Sequence, residues 1–296
     1  MGASAMSPRP GKSWISRSEA EASFQDLRER LAEAKRLLEG LGVRVPPASR
    51  FDEYGRELDR LAQVAADETH DWTTDERLLL HDAILECQQF LPSVRELARQ
   101  PEVAGWRALA TQAIGGHASA TSESGSTPAR DAQVELYVAG LGRRAGYGVS
   151  FAEPDVVLER AGKALAIAVK RVKTAGALPR RLHAGSSQLR RAGRQGVVAI
   201  QLGFLANDLI HARDMSSALE TLRAEMRDFV MGRLRELLDC VDRDWCFGMI
   251  LLASRPALLP TGHAVISSLY SSNLCTEFDP RCRLLESFMQ RLPREP

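Results

Sequence analysis

The sequence has few cysteines, few aromatic residues and no long apolar run, and each shortage excludes a class of protein. Its five cysteines form no Cys-x-x-Cys pair and are odd in number, which argues against a zinc site or a disulfide framework. No apolar segment reaches the ~18 residues that a membrane-spanning helix needs. The first residues also lack the apolar core of a signal peptide. We therefore expect a globular cytoplasmic protein that has no membrane partner.

The net charge is also close to zero, because the 39 Lys and Arg residues are balanced by 38 Asp and Glu residues. The charge is nevertheless uneven, since residues 160–207 contain neither Asp nor Glu. A block of one sign usually forms a solvated face, but it can also bind a phosphate backbone in a salt-dependent way. The basic residues of this block are Arg160, Lys163, Lys170, Arg171, Lys173, Arg180, Arg181, Arg190, Arg191 and Arg194.

The chain has two regions with different sequence patterns, and a polar segment separates them. Residues 1–114 are expected to form a helical N-terminal domain after about 17 disordered residues, because apolar residues recur at helical spacing. Pro92 is expected to interrupt the third helix. Residues 115–129 are rich in Gly, Ser and Thr and predict a flexible linker. The helices could pack on one another or on the next domain, or they could form an arm for a homodimer or a partner protein.

Residues 130–296 have the alternating pattern of an α/β domain. Pro128 is suited to the first position of a helix, with Thr127 as its cap. Strands are expected near residues 149–151, 155–159, 164–170, 197–202 and 246–254, and further helices over 179–195 and 216–241. This order predicts a mixed sheet with helices on its faces.

A candidate site lies where two of these strands form a hairpin, in the segment EPDVVLERAGKALAIAVKRVKT. Side chains alternate along a strand, so Leu165 and Val169 should face a core while Ala168 and Lys170 share the other face. Antiparallel pairing can bring Asp155 close to Lys170. A carboxylate can bind a divalent cation, and a lysine can hold the water or the developing charge of phosphodiester hydrolysis.

The Pro-Asp pair at 154–155 and the Ala-Val-Lys at 168–170 resemble the motif of the PD-(D/E)xK, or restriction-endonuclease-like, nuclease superfamily. The resemblance covers residues 129–202, about a quarter of the chain. It includes an order of elements: acidic helix, PD strand, glycine turn, xK strand, glutamine helix and apolar strand. It implies a helical N-terminal domain followed by a restriction-endonuclease-like mixed sheet flanked by helices, and an endonuclease that cleaves DNA with Mg²⁺ or Mn²⁺.

The resemblance also implies roles for individual residues. Asp155, Glu135 and the backbone carbonyl of Val169 would be metal ligands. Lys170 would orient water or stabilise the transition state, and Gln188 would orient the site. Duplex DNA is the favoured partner, because the basic block has almost no aromatic residues on which single-stranded bases could stack. The residues expected to contact the DNA are Arg171, Lys173, Arg180, Arg181, Arg190, Arg191 and Arg194.

Ala168 departs from the motif, because the superfamily has a carboxylate at this position and a methyl group cannot bind a metal. Three explanations are open: an engineered replacement of Glu or Asp, a natural relative of nucleases that does not cleave, or a carboxylate supplied from elsewhere. Glu135 is the nearest candidate for the third. We favour the first, because every other element of the site is present. The alternative function is a catalytically inactive nucleic-acid-binding subunit of a larger complex.

Overall fold

The computed structural model describes residues 13–18, 24–47, 49–65, 73–99, 103–116, 128–203, 205, 210–259, 262–274 and 279–292. Most of the predicted linker, at 117–127, and residues 1–12 of the segment expected to be disordered lie outside these ranges. Residues 13–18 differ from that expectation, because they form a strand that pairs with a strand near the C-terminus. None of the described helices combines the length and the apolarity needed to cross a bilayer.

The described residues begin with one strand, continue through five helices, and then combine strands and helices. The helices are α1 Phe24–Gly40, α2 Arg50–Ala65, α3 Thr74–Ala98, α4 Trp106–Ala113, α5 Pro128–Arg144, α6 Leu178–Arg191, α7 Met215–Asp239 and α8 Cys282–Arg291. The strands are β1 Ser13–Ser18, β2 Gly148–Ala152, β3 Asp155–Arg160, β4 Lys163–Val172, β5 Gly196–Leu202, β6 Ile210–His211, β7 Cys246–Leu259 and β8 Gly262–Asn273.

The described strands form one open, mixed sheet in the order β1-β8-β7-β5-β4-β3-β2, with β6 also paired to β7. The central strands β4, β5 and β7 run parallel, and α6 and α7 connect them. The hairpin strands β2, β3 and β4 and the pair β7 and β8 are antiparallel. The α/β class and the mixed sheet expected from the sequence are therefore confirmed, as is the helix that begins at Pro128.

Helix α3 corrects one prediction, because Pro92 lies inside it rather than at its end. Its start follows the sequence signal, since Thr73 and Glu76 form a reciprocal capping box. Phe90 and Val94, on either side of the proline, are fully buried. Burial of such side chains contributes about 1.5–3 kcal/mol each, which offsets the backbone hydrogen bond that proline removes.

Two apolar cores lie on opposite faces of the sheet. In the first core, helices α1–α5 and α8 pack on one face of the sheet. In the second core, α6 and α7 pack on the opposite face. Apolar residues that recur at helical spacing along α1, including Leu27, Leu31 and Leu38, are buried in the first core. The predicted boundary near residue 114 thus does not separate two cores, because the N-terminal helices and the sheet share one.

Buried charges link three helices within that shared core. Arg50 of α2 is fully buried, and its Nη2 lies 3.1 Å from Glu86 Oε1 of α3 and donates to Gln133 Oε1 of α5 at 3.0 Å. Arg130 of α5 lies 3.6 Å from the same Glu86 carboxylate. Burial raises the pKa of Glu86, and the two arginines lower it. The two arginines therefore offset part of the cost of burying this carboxyl group.

Replacing Arg50 by Ala should destabilise the protein by about 3 kcal/mol, because it leaves the Glu86 carboxylate buried with a single, more distant arginine. The control is Arg56→Ala, which breaks an exposed pair with Asp52 at 3.6 Å and should cost no more than about 0.5 kcal/mol. Urea unfolding followed by circular dichroism measures both. Equal losses in the two variants would contradict a structural role for the buried pair.

Candidate functional site

The site is built where β4 extends beyond its partner β3. The pairing begins at Val156 and Ile167, after a two-residue turn of Glu153 and Pro154 that contains a cis peptide bond. Beyond this pair, the Val169 N–H donates to Asp155 Oδ2 at 2.7 Å rather than to a strand. The Asp155 side chain therefore provides the hydrogen-bond acceptor that a further residue of β3 would otherwise provide.

Lys170 completes this end of β4. Its Nζ donates to Asp155 Oδ2 at 3.1 Å, to the Val169 carbonyl at 2.7 Å and to Gln188 Oε1 at 2.6 Å. The Lys170 and Asp155 side chains are only 17% and 16% exposed. Such charge-assisted hydrogen bonds in a half-closed site are stronger than exposed ion pairs.

Gln188 reaches the site from α6, which packs closely over the sheet. A Cβ at Gly185 would lie 2.6 Å from Val198 Cγ1, so this close approach requires glycine. Gln188 Nε2 donates to Asp155 Oδ1 at 2.8 Å and to Glu153 Oε2 at 3.2 Å, and it also contacts the Pro154 carbonyl. The amide therefore bridges the start of β3 and the ammonium of Lys170.

Glu135 on α5 belongs to the same electrostatic environment. Burial is the main cause that raises its pKa from 4.5 to about 7, and the charges of Asp155, Asp131 and Glu153 raise it further while Lys170 lowers it. A substantial fraction of Glu135 is thus protonated at neutral pH. The structure brings Asp155, Lys170 and Gln188 into direct contact, with Glu135 electrostatically coupled to the first two.

Position 168 has no open space waiting for a ligand. Ala168 is fully buried in the second core, and it shares that core with Val198 and Ile200 of β5. Strand alternation predicts that Ala168 and Lys170 share one face of β4. It did not predict that the second apolar core covers this face at Ala168. The reason is that β4 is covered on both sides, by α5 and by α6, as central strands of parallel sheets are.

Of the oxygens that the resemblance assigns to a metal, those of Asp155 and Val169 already have hydrogen-bond partners in this structure. Both Asp155 oxygens accept hydrogen bonds, and the Val169 carbonyl accepts from Lys170. Position 168 supplies no carboxylate, and no group of three or more His, Cys, Asp or Glu side chains in the described part of the chain is placed to hold a metal. No chemical step is therefore assigned to a metal.

The basic block separates into two groups. Arg171, Arg181 and Lys173 lie close enough to Asp131 on α5 to lower its pKa, although burial raises that pKa overall. At the other end of α6, Arg190 and Arg191 occupy the last turn, and Arg190 lies 3.5 Å from Asp242. Arg194 follows this turn and is exposed, as is Arg180 in the first turn of α6. The first group borders the site.

Comparisons with known protein families, proteins and structures gave no match. No family model matches the sequence, no curated protein matches it, and no solved structure matches the fold. The interpretation of the site therefore rests on its own residues and contacts.

Two acidic residues of the site were not singled out from the sequence. Glu153 accepts a hydrogen bond from Gln188, and Asp131 lies one helical turn before Glu135. The adjacency of Glu153 to the Pro-Asp pair and the four-residue spacing of Asp131 and Glu135 were available signals. Both contribute to the negative potential that acts on Glu135.

The raised pKa of Glu135 predicts a pH-dependent stability. Between pH 4.5 and about 7 the folded state retains a proton that the unfolded state has lost, so stability falls as pH rises through this window. Relative to Glu135→Gln, the parent should lose ~1–2 kcal/mol between pH 5 and pH 8, after allowance for partial exposure. Chemical denaturation at both pH values measures it. Glu159→Gln, at an exposed carboxylate of β3, is the control and should keep the parent's pH dependence.

The burial of Ala168 predicts that a carboxylate is poorly tolerated there. Ala168→Glu should cost about 2–4 kcal/mol, because a charge enters an apolar core beside Asp155. Ala164→Glu is the matched control, since Ala164 lies on the same face of β4 and is exposed. Thermal unfolding compares the two. A stable Ala168→Glu variant would mean that the position can accept a ligand.

Proposed function

We propose that this protein is a restriction-endonuclease-like, nucleic-acid-binding protein that holds the phosphate backbone of duplex DNA beside Lys170 without cleaving it. The observation that supports this most is the contact set of Asp155, Lys170 and Gln188, because it joins three residues to which the resemblance gives roles in the site. The occupied oxygens and Ala168 disfavour metal-dependent cleavage.

The order of elements supports the restriction-endonuclease-like part of the proposal. Helix α5 carries Glu135, the β3–β4 hairpin carries Asp155 and Lys170, and α6 carries Gln188 before the parallel strand β5. This is the order that the resemblance implies. The N-terminal helices and strands β7 and β8 lie outside the resemblance.

The charges beside the site support the nucleic-acid part. Lys173 and Arg181 are exposed, lie near Asp131 and flank the Lys170 end of β4. No acidic residue interrupts residues 160–207. Lysine and arginine side chains that replace condensed counterions on DNA give an affinity that falls steeply with salt.

The test compares two double variants of equal charge. Lys173→Ala with Arg181→Ala removes the charges beside the site, and Arg191→Ala with Arg194→Ala removes two exposed charges at the far end of α6. The first should weaken duplex binding and reduce the log-log salt slope by about two units, and the second should change both less. Fluorescence anisotropy at several salt concentrations measures this. Unchanged binding in the first double variant would refute the proposal, and equal losses would refute its location.

A second candidate is a metal-dependent endonuclease in which Glu135 supplies the carboxylate that position 168 lacks. The electrostatic coupling of Glu135 to Asp155 and Lys170 favours it. Plasmid cleavage with Mg²⁺ or Mn²⁺ distinguishes the two candidates. The first predicts no cleavage by the parent, and cleavage that Asp155→Ala abolishes would establish the second.

A further inference from the structure

Three oxygen atoms of different origin converge on the Lys170 ammonium. They are Asp155 Oδ2, the Val169 carbonyl and Gln188 Oε1, at 3.1, 2.7 and 2.6 Å from Nζ. An ammonium has three hydrogens to donate, and each has an acceptor here. The side chain therefore does not extend into solvent, and its charge is directed into the protein.

The same three kinds of oxygen, from a carboxylate, a backbone carbonyl and an amide, are the ligands that hard divalent cations take in proteins. Further acidic residues lie near the site, because Asp131 and Glu153 act electrostatically on Glu135 together with Asp155 and Lys170. This end of β4 is thus a place where a cation is stabilised, and the chain supplies that cation itself.

We propose that the Lys170 ammonium is the resident cation of this site and occupies the position that a divalent metal ion would otherwise take. Ala168 then fits the arrangement, because one carboxylate, Asp155, is balanced by one ammonium. A second carboxylate at position 168 would leave an unpaired negative charge in the core. The inference concerns what fills the site and holds whether or not the protein binds nucleic acid.

Removing the ammonium should open the site to other cations. Lys170→Ala leaves the three oxygens without their donor, so it should bind Mn²⁺ at least tenfold more tightly than the parent. Methylammonium should raise its melting temperature and leave that of the parent unchanged. Lys170→Met is the matched control, because its apolar side chain removes the charge yet fills most of the space, and it should gain no Mn²⁺ affinity. Isothermal titration calorimetry and thermal unfolding measure these effects.

The parent protein provides a test that requires no variant to fold. Mn²⁺ added to the parent should not broaden the amide NMR signals of Val169 and Gln188 beyond the level at distant surface residues. Selective broadening of these two signals would overturn the proposal, since a metal would then enter the site with Lys170 present. An unchanged Mn²⁺ affinity in a folded Lys170→Ala variant would overturn it as well.

Discussion

The burial of α5 between the N-terminal helices and the sheet is the constraint on which the rest of the structure depends. Most of its length is inaccessible to solvent, and it packs against α3 and α4 on one side and β2, β3 and β4 on the other. Its Arg130 joins the buried charges of Arg50 and Glu86, so the helix is held by polar as well as apolar contacts. Because α5 also carries Glu135, the same packing that joins the helices to the sheet determines the environment of the site.

The site itself results from a difference in length between two strands. β4 extends beyond its pairing with β3, and the backbone groups of Val169, which β3 does not pair, take side chains as partners. Asp155 and Lys170 thus form hydrogen bonds with the unpaired backbone groups of Val169 and also with each other. Any group that bound at this position would have to compete with hydrogen bonds that the fold already makes.

Charge around the site is arranged in two zones. Asp155, Asp131 and Glu153 act electrostatically on Glu135 together with Lys170, and the basic residues Arg171, Lys173 and Arg181 act on Asp131. On the proposal that the Lys170 ammonium is the resident cation of the site, Lys170 balances Asp155 without an added ion, and position 168 needs no carboxylate.

Local patterns in the sequence were sufficient to predict the α/β class, the hairpin of β3 and β4 and the proximity of Asp155 and Lys170, whereas only the resemblance implied that Gln188 belongs to the site. These features follow from strand alternation and from turn and cap residues that act over a few positions. The pairing of β1 with β8, the continuation of α3 through Pro92 and the burial of Ala168 follow from contacts between segments distant in the chain. Only the tertiary structure decided where the Lys170 ammonium is directed, because the three oxygens that receive it come from β3, β4 and α6 and meet only when α6 packs on the sheet.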